Sequence, residues 1–136
     1  YFDWTIISRL KLKGSYNFTF GRDLSNQIPM AHIPPQFGRL GLGFYGEKIE
    51  TEIYTMYNLY KSSMDYAPGS EDNLDQALPN GTPGWATLNL RFSYAFLNGL
   101  NLQLNVENIL DQHYRPFSSG VSASGFNTRF TVRYSF

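Results

Sequence analysis

The stretch from Gly125 to Phe136 reads G-F-N-T-R-F-T-V-R-Y-S-F and sorts its side chains by parity. Phe126, Thr128, Phe130, Val132, Tyr134 and Phe136 share one parity, while Asn127, Arg129, Thr131, Arg133 and Ser135 share the other. A period of two thus separates apolar and aromatic side chains from polar and charged ones. A helical period would spread Phe130, Val132, Tyr134 and Phe136 around the whole circumference. The segment is expected to be a β-strand with one apolar face. Termini ordinarily fray, so a strand this regular at the last residue is expected to be held by a neighbour.

The same alternation recurs upstream. Strand one is expected from about Thr5 to Gly21, with Ile6, Ser8, Leu10, Leu12, Gly14, Tyr16, Phe18 and Phe20 opposed to Arg9, Lys11, Lys13, Ser15, Asn17 and Thr19. Ile7 falls with the polar set. Strands two (Phe37 to Tyr45), three (from Ile49 to about Tyr60), four (Trp85 to Phe96) and five (Leu100 to about Glu107) follow, and the terminal strand makes six. Strands in globular domains average about five or six residues, whereas tilted membrane strands need about 9 to 11.

The connections differ in kind. Gly46-Glu47-Lys48 and Asn98-Gly99 suit tight hairpin turns. Gly21 to Pro35, Lys61 to Gly84 and Asp111 to Ser124 are long, aperiodic and rich in turn residues. Short turns at one end and long loops at the other mark an up-and-down membrane barrel, with turns in the periplasm and loops outside the cell. Charge placement agrees: Arg9, Lys11, Lys13, Arg91, Arg129 and Arg133 take the polar parity of their strands, away from lipid, where each costs about 2 to 4 kcal/mol near the midplane. Aromatic residues gather near strand ends, among them Trp4, Tyr45, Tyr60, Trp85, Phe96 and Tyr134, as membrane interfaces favour. A soluble β-sandwich also alternates, but it does not need strands this long or loops this uneven.

Composition removes other classes. The formal net charge is zero and the pI is near 6.9, so no basic surface points to nucleic acid. With no cysteine, disulfide frameworks, thiolate metal sites and cysteine nucleophiles are absent. No apolar run approaches the roughly 18 to 20 residues of a membrane helix, which a β-barrel would not show either. The chain starts at Tyr1 without a signal peptide and is expected to be a piece of a longer protein.

Four stretches together resemble the C-terminal end of a TonB-dependent outer-membrane receptor. They are Gly14 to Asp23, then Ile33-Pro34-Pro35 with Leu40-Gly41-Leu42, then Asn105 to Asp111 with Tyr114 and Arg115, and Arg129 before the alternating strand that ends in Tyr134 and Phe136. Asn127-Thr128-Arg129 stands where the family often has Pro-Gly-Arg. The resemblance implies an all-β, antiparallel, up-and-down transmembrane barrel. Residues 1–136 would be about the last six strands of a barrel of about 22, with the plug and earlier strands upstream. It implies active import across the Gram-negative outer membrane of a scarce nutrient of the siderophore, haem, vitamin or oligosaccharide class. The partners implied are outer-membrane lipid, the rest of the barrel and its plug, the barrel-assembly machinery, and a TonB-type energy-transducing protein reached through the missing N-terminal part. The alternatives are a smaller passive or structural barrel and a soluble all-β ligand-binding domain.

Phe130, Val132, Tyr134 and Phe136 are expected to form the assembly-signal strand, besides facing lipid. His32, Tyr66, Trp85, His113, Tyr114 and Arg115 are the loop residues expected to face a ligand. Met30-Ala31-His32 offers soft donors without a second cluster, and Asp111, His113 and Tyr114 offer acid-base groups without a nucleophile motif. The acidic loop from Lys61 to Gly84 lacks EF-hand spacing. No cofactor, metal or catalysis is therefore expected. The polar-face cations are expected to pair with Glu50, Glu52 and Glu107 or stand in water, ahead of lining a ligand path or meeting plug carboxylates.

Overall fold

The computed structural model describes residues 1–69 and 72–136. In chain order, β1 (Phe2–Ile7) and β2 (Leu10–Asn17) form a hairpin, and β3 (Arg22–Asp23) pairs with β4 (Ile28–Pro29). Next come β5 (Phe37–Tyr45) and β6 (Ile49–Asn58), then β7 (Lys61–Ser62) paired with β8 (Gly81–Thr82), and finally β9 (Trp85–Ala95), β10 (Leu100–Glu107) and β11 (Asn127–Tyr134). The long strands make one antiparallel sheet in the order β1-β2-β5-β6-β9-β10-β11, so each pairs with its neighbour in sequence. The sheet is open, with β1 and β11 at its edges. It is an all-β partial barrel.

Register carries the parity of the sequence across the whole sheet. One row of opposed residues runs Trp4, Leu12, Leu42, Ile53, Leu90, Val106, Thr128. The neighbouring row on the other face runs Thr5, Lys11, Gly43, Glu52, Arg91, Asn105, Arg129. A slip of one residue in any strand would exchange the two. The apolar face is bare: Phe130, Val132 and Tyr134 are more than half exposed, and Phe136 stands fully in the open. Tyr66 and Ala67 are the buried hydrophobic residues among those described, and both lie in a loop. A soluble sandwich would bury such a face against a second sheet, and none is present among the described residues.

The polar face is tied by charge and ring contacts. Arg39 donates to Glu52 at 2.8 Å and lies 4.1 Å from the Tyr54 ring centre. Lys13 lies 3.9 Å from Asp3 and 4.1 Å from the Tyr45 ring, and Arg129 reaches Glu107 at 3.2 Å. A Cβ at Gly41 would stand 2.6 Å from Glu52 Oε1 and 2.9 Å from Tyr54 Cβ, so the missing side chain is what admits this cluster.

Three expectations need correction. The strand expected from Thr5 to Gly21 is a hairpin, so the long strands number seven and not six. Its turn is Ser8-Arg9, with Ile7 opposite Leu10, and the register shifts between Thr5 and Ile7. A two-residue turn inverts parity and a bulge inverts it again, so the alternation passes through as if the chain were straight. Ile7 on the polar parity was the only trace. Arg9 accordingly sits in the turn, not on the polar face, and pairs with Glu47 of the next turn at 3.3 Å. The third concerns the long connections, which are not structureless. The first holds the β3–β4 hairpin, capped by Asp23 Oδ1, which accepts from Ser25 N (2.8 Å) and Asn26 N (3.2 Å). These bonds, with Asn26 Nδ2 donating to Oδ2 at 2.8 Å, hold the Asp23 carboxyl below its usual range. The second connection is pinched by β7–β8 and carries 3-10 turns at Ser63–Asp65 and Leu74–Gln76.

At the short-turn end, Gly99 takes φ +81°, as the Asn98-Gly99 turn requires. Ser135 N donates to Gly99 O at 3.1 Å, which fastens the end of the last strand to that turn.

Candidate functional site

The second and third long connections meet at one end of the sheet and line a cavity of about 320 Å³. Trp85 begins β9 on the polar parity, in line with Thr87, Asn89 and Arg91, so it stands on the face that turns to the lumen of a closed barrel. Tyr114, from the third connection, stacks on it with ring centres 4.0 Å apart at 31°. Tyr66 lines the cavity from the second connection, buried, with its hydroxyl bonded to Thr82 Oγ1. His113, Arg115, Gln76 and Gln112 complete the polar wall.

A network at the foot of the third connection places Tyr114. Asn108 is buried at φ +51°. Its Nδ2 donates to Gln112 O (2.9 Å) and Ser124 O (3.2 Å), and its Oδ1 accepts from Gln112 N (2.9 Å). Asn108 N donates to Asn89 Oδ1 at 2.9 Å, and Asp111 Oδ1 accepts from Phe126 N at 2.8 Å. The Asn-Ile-Leu-Asp segment thus clamps both limbs of the loop where it leaves the sheet, and Tyr114 emerges from the clamp over Trp85.

Cross-links between loops fix the remaining wall. Asn73 Nδ2 donates to Ser118 O at 2.7 Å, and Arg115 Nη1 to Gln76 O at 2.7 Å. The Tyr66 and Phe117 rings meet edge to face at 5.4 Å. Behind the cavity, Lys61 is buried, with its Nζ donating to Ile33 O and lying 4.3 Å from the Phe117 ring centre. Burial pushes its amine below the usual lysine value, a shift partly opposed by Asp72 and Asp65. Asp72 is fully buried and accepts from His32 N (2.7 Å) and Ala67 N (3.2 Å). First and second connections are thereby joined.

Of the loop residues expected to face a ligand, Tyr66, Trp85, His113, Tyr114 and Arg115 line this cavity, and His32 does not. His32 instead abuts Asp72, with its Nδ1 3.8 Å from Oδ1. The Met30-Ala31-His32 stretch gathers no set of three His, Cys, Asp or Glu side chains able to hold a metal among the described residues. Asp111, His113 and Tyr114 point to separate tasks: Asp111 closes the loop, His113 Nε2 meets Ser122 Oγ at 2.9 Å, and Tyr114 stacks. Phe130, Val132, Tyr134 and Phe136 lie on the bare face at the edge strand. Asn73, Gln76, Gln112 and the Asn108 clamp were not anticipated as site residues. For Asn108 the family-like Asn-Ile-Leu-Asp segment was the available signal; for the amides there was none.

Comparison with known proteins agrees with this architecture. No curated protein matches the chain. Among solved structures it is similar to "Copper transporter OprC", at a TM-score of 0.83 and 18% identity, over 98% of this chain and 22% of that one. The chain thus spans about a fifth of that protein's length, and at this identity the likeness shows the fold. A family model described as TonB dependent receptor-like, beta-barrel matches residues 1–109. The chain belongs to the TonB-dependent receptor-like β-barrel family.

Proposed function

We propose that residues 1–136 are the C-terminal wall of an outer-membrane receptor that captures a scarce small nutrient at its loops and imports it when a plug is moved with TonB-transduced energy. The plug, the earlier strands and the contact with the energy-transducing protein belong to the upstream part, and the activity is transport, not catalysis. The observation that carries this reading is the cavity over Trp85: it is built by two long connections on the side of the sheet that faces a barrel lumen. Five loop residues chosen for ligand contact by their chemistry converge there. The bare aromatic and aliphatic face fits outer-membrane lipid, with Phe130, Val132, Tyr134 and Phe136 as the strand offered to the barrel-assembly machinery. The nutrient class stays as broad as siderophore, haem, vitamin or oligosaccharide.

The test is made on the full-length protein. Outer-membrane recovery with a heat-modifiable gel shift is expected, together with electrical silence in planar bilayers that gives way to conductance when the plug is unfolded or deleted. An intact protein that conducts without such treatment would belong to the passive barrels instead. A detergent-free soluble monomer would overturn the membrane reading altogether.

A further inference from the structure

We propose that the cavity over Trp85 takes a small hydroxylated ring bearing a carboxylate, a sugar acid of the uronic type, with its ring on the Trp85–Tyr114 wall and its carboxylate on Arg115. The proposal rests on the import reading and narrows the cargo within it.

Size comes first. At about 320 Å³ the space lies at the small end of ligand sites. It suits a single substituted ring.

Shape follows from the aromatic wall. Tyr114 covers one face of Trp85, so the C–H face of a saturated ring packs on an outer face of the stacked pair. Around it, the Gln76 side-chain amide and the amide oxygens of Asn73 and Gln112 make no hydrogen bond among the described residues, whereas the hydroxyls of Thr82, Ser118 and Ser119 already serve neighbouring groups. Amides both donate and accept, which is what a ring edged with hydroxyl groups demands.

Charge sets the last requirement. Arg115 is the single formally charged side chain among the described lining residues, and no carboxylate joins it. Its Nη1 donates to Gln76 O, and among the described residues the rest of the guanidinium fork has no partner, which leaves it to grip a carboxylate in the two-point manner that arginine favours. The wall beyond the cavity has the same sign. Asp3, Glu52 and Glu107 are each matched by Lys13, Arg39 and Arg129, while among the described residues Lys11, Arg91 and Arg133 make no ion pair and Glu50 is the one polar-face carboxylate left against them. An anion leaving the cavity meets a favourable field along the lumen, and a metal cation meets a repulsive one. The cargo named for the structural neighbour is thus the opposite of what this cavity selects.

The full-length receptor in detergent, with its fold checked by the heat-modifiable shift, is titrated with D-galacturonate and D-galactose, which differ at one ring substituent. Binding is read by saturation-transfer NMR and calorimetry. Galacturonate is expected to bind at least tenfold more tightly than galactose. Arg115→Gln is expected to remove that preference, Arg115→Lys to keep part of it, and Trp85→Ala to weaken both sugars. Equal affinity of the wild type for the two, a preference that survives Arg115→Gln, or no galacturonate binding by a folded receptor would overturn the proposal. None of these outcomes bears on bilayer silence or outer-membrane recovery, so the import reading stands or falls separately.

Discussion

Asn108 shows how one side chain fixes a loop of nineteen or so residues that has no periodicity of its own. It donates twice and accepts once, and its left-handed backbone is one that asparagine tolerates better than most residues. Asn108→Ala removes the partner of Gln112 N, Gln112 O and Ser124 O, on two residues that water reaches, and adds backbone strain. At about 0.5 to 1.5 kcal/mol net per hydrogen bond lost, a local loss of about 2 kcal/mol is expected. The sheet does not depend on this network, so the loss should appear as protease nicking between residues 108 and 126 with the heat-modifiable shift retained. Asn108→Asp keeps the accepted bond and the backbone tolerance, and is expected to fall between. Equal protease resistance in all three proteins would show that the loop is held by something else.

At the scale of the strand, neighbouring positions are expected to behave as opposites. Leu104 lies in the row Leu10, Phe44, Thr51, Phe92, Leu104, Phe130, on the face offered to lipid, and Gln103 stands one residue away on the lumen side. Leu104→Arg is expected to cost about 2 to 4 kcal/mol, and Gln103→Arg close to nothing. Urea titration of the full-length protein refolded into lipid vesicles measures both, and similar losses would contradict the assignment of faces. The parity that makes this prediction was legible from sequence, because Leu102, Leu104 and Val106 cannot share a face with Gln103 and Asn105 in any strand. The β1–β2 turn was not, since a two-residue turn and the shift beside Ile7 cancel in the pattern. Nor was the cavity. Its cross-links join Asn73 to Ser118 and Arg115 to Gln76, pairs brought together by the stacking of one connection on another and marked by no spacing in the chain. Trp85 and Tyr114 could be singled out as aromatic, but not as partners.

For the whole molecule, the sheet order decides what this segment does alone. Seven strands leave one unpaired edge on β1 and another on β11, each a row of N–H and C=O groups. In hydrocarbon every such group left without a partner costs several kcal/mol, far more than a bare apolar face recovers by entering lipid along a single open sheet. The lumen face adds a second obstacle, because Lys11, Arg91 and Arg133 need water, a plug or an opposite wall beside them. Residues 1–136 refolded alone into vesicles are therefore expected to give no heat-modifiable species and to aggregate through their edges. Adding the earlier strands of the proposed barrel as a separate chain is expected to restore the shift, with β11 and β1 each gaining a neighbour. A stable, heat-modifiable product from residues 1–136 alone would mean that copies of the segment close one another's edges, and the assignment of this sheet as one wall of a single-chain barrel would have to be given up.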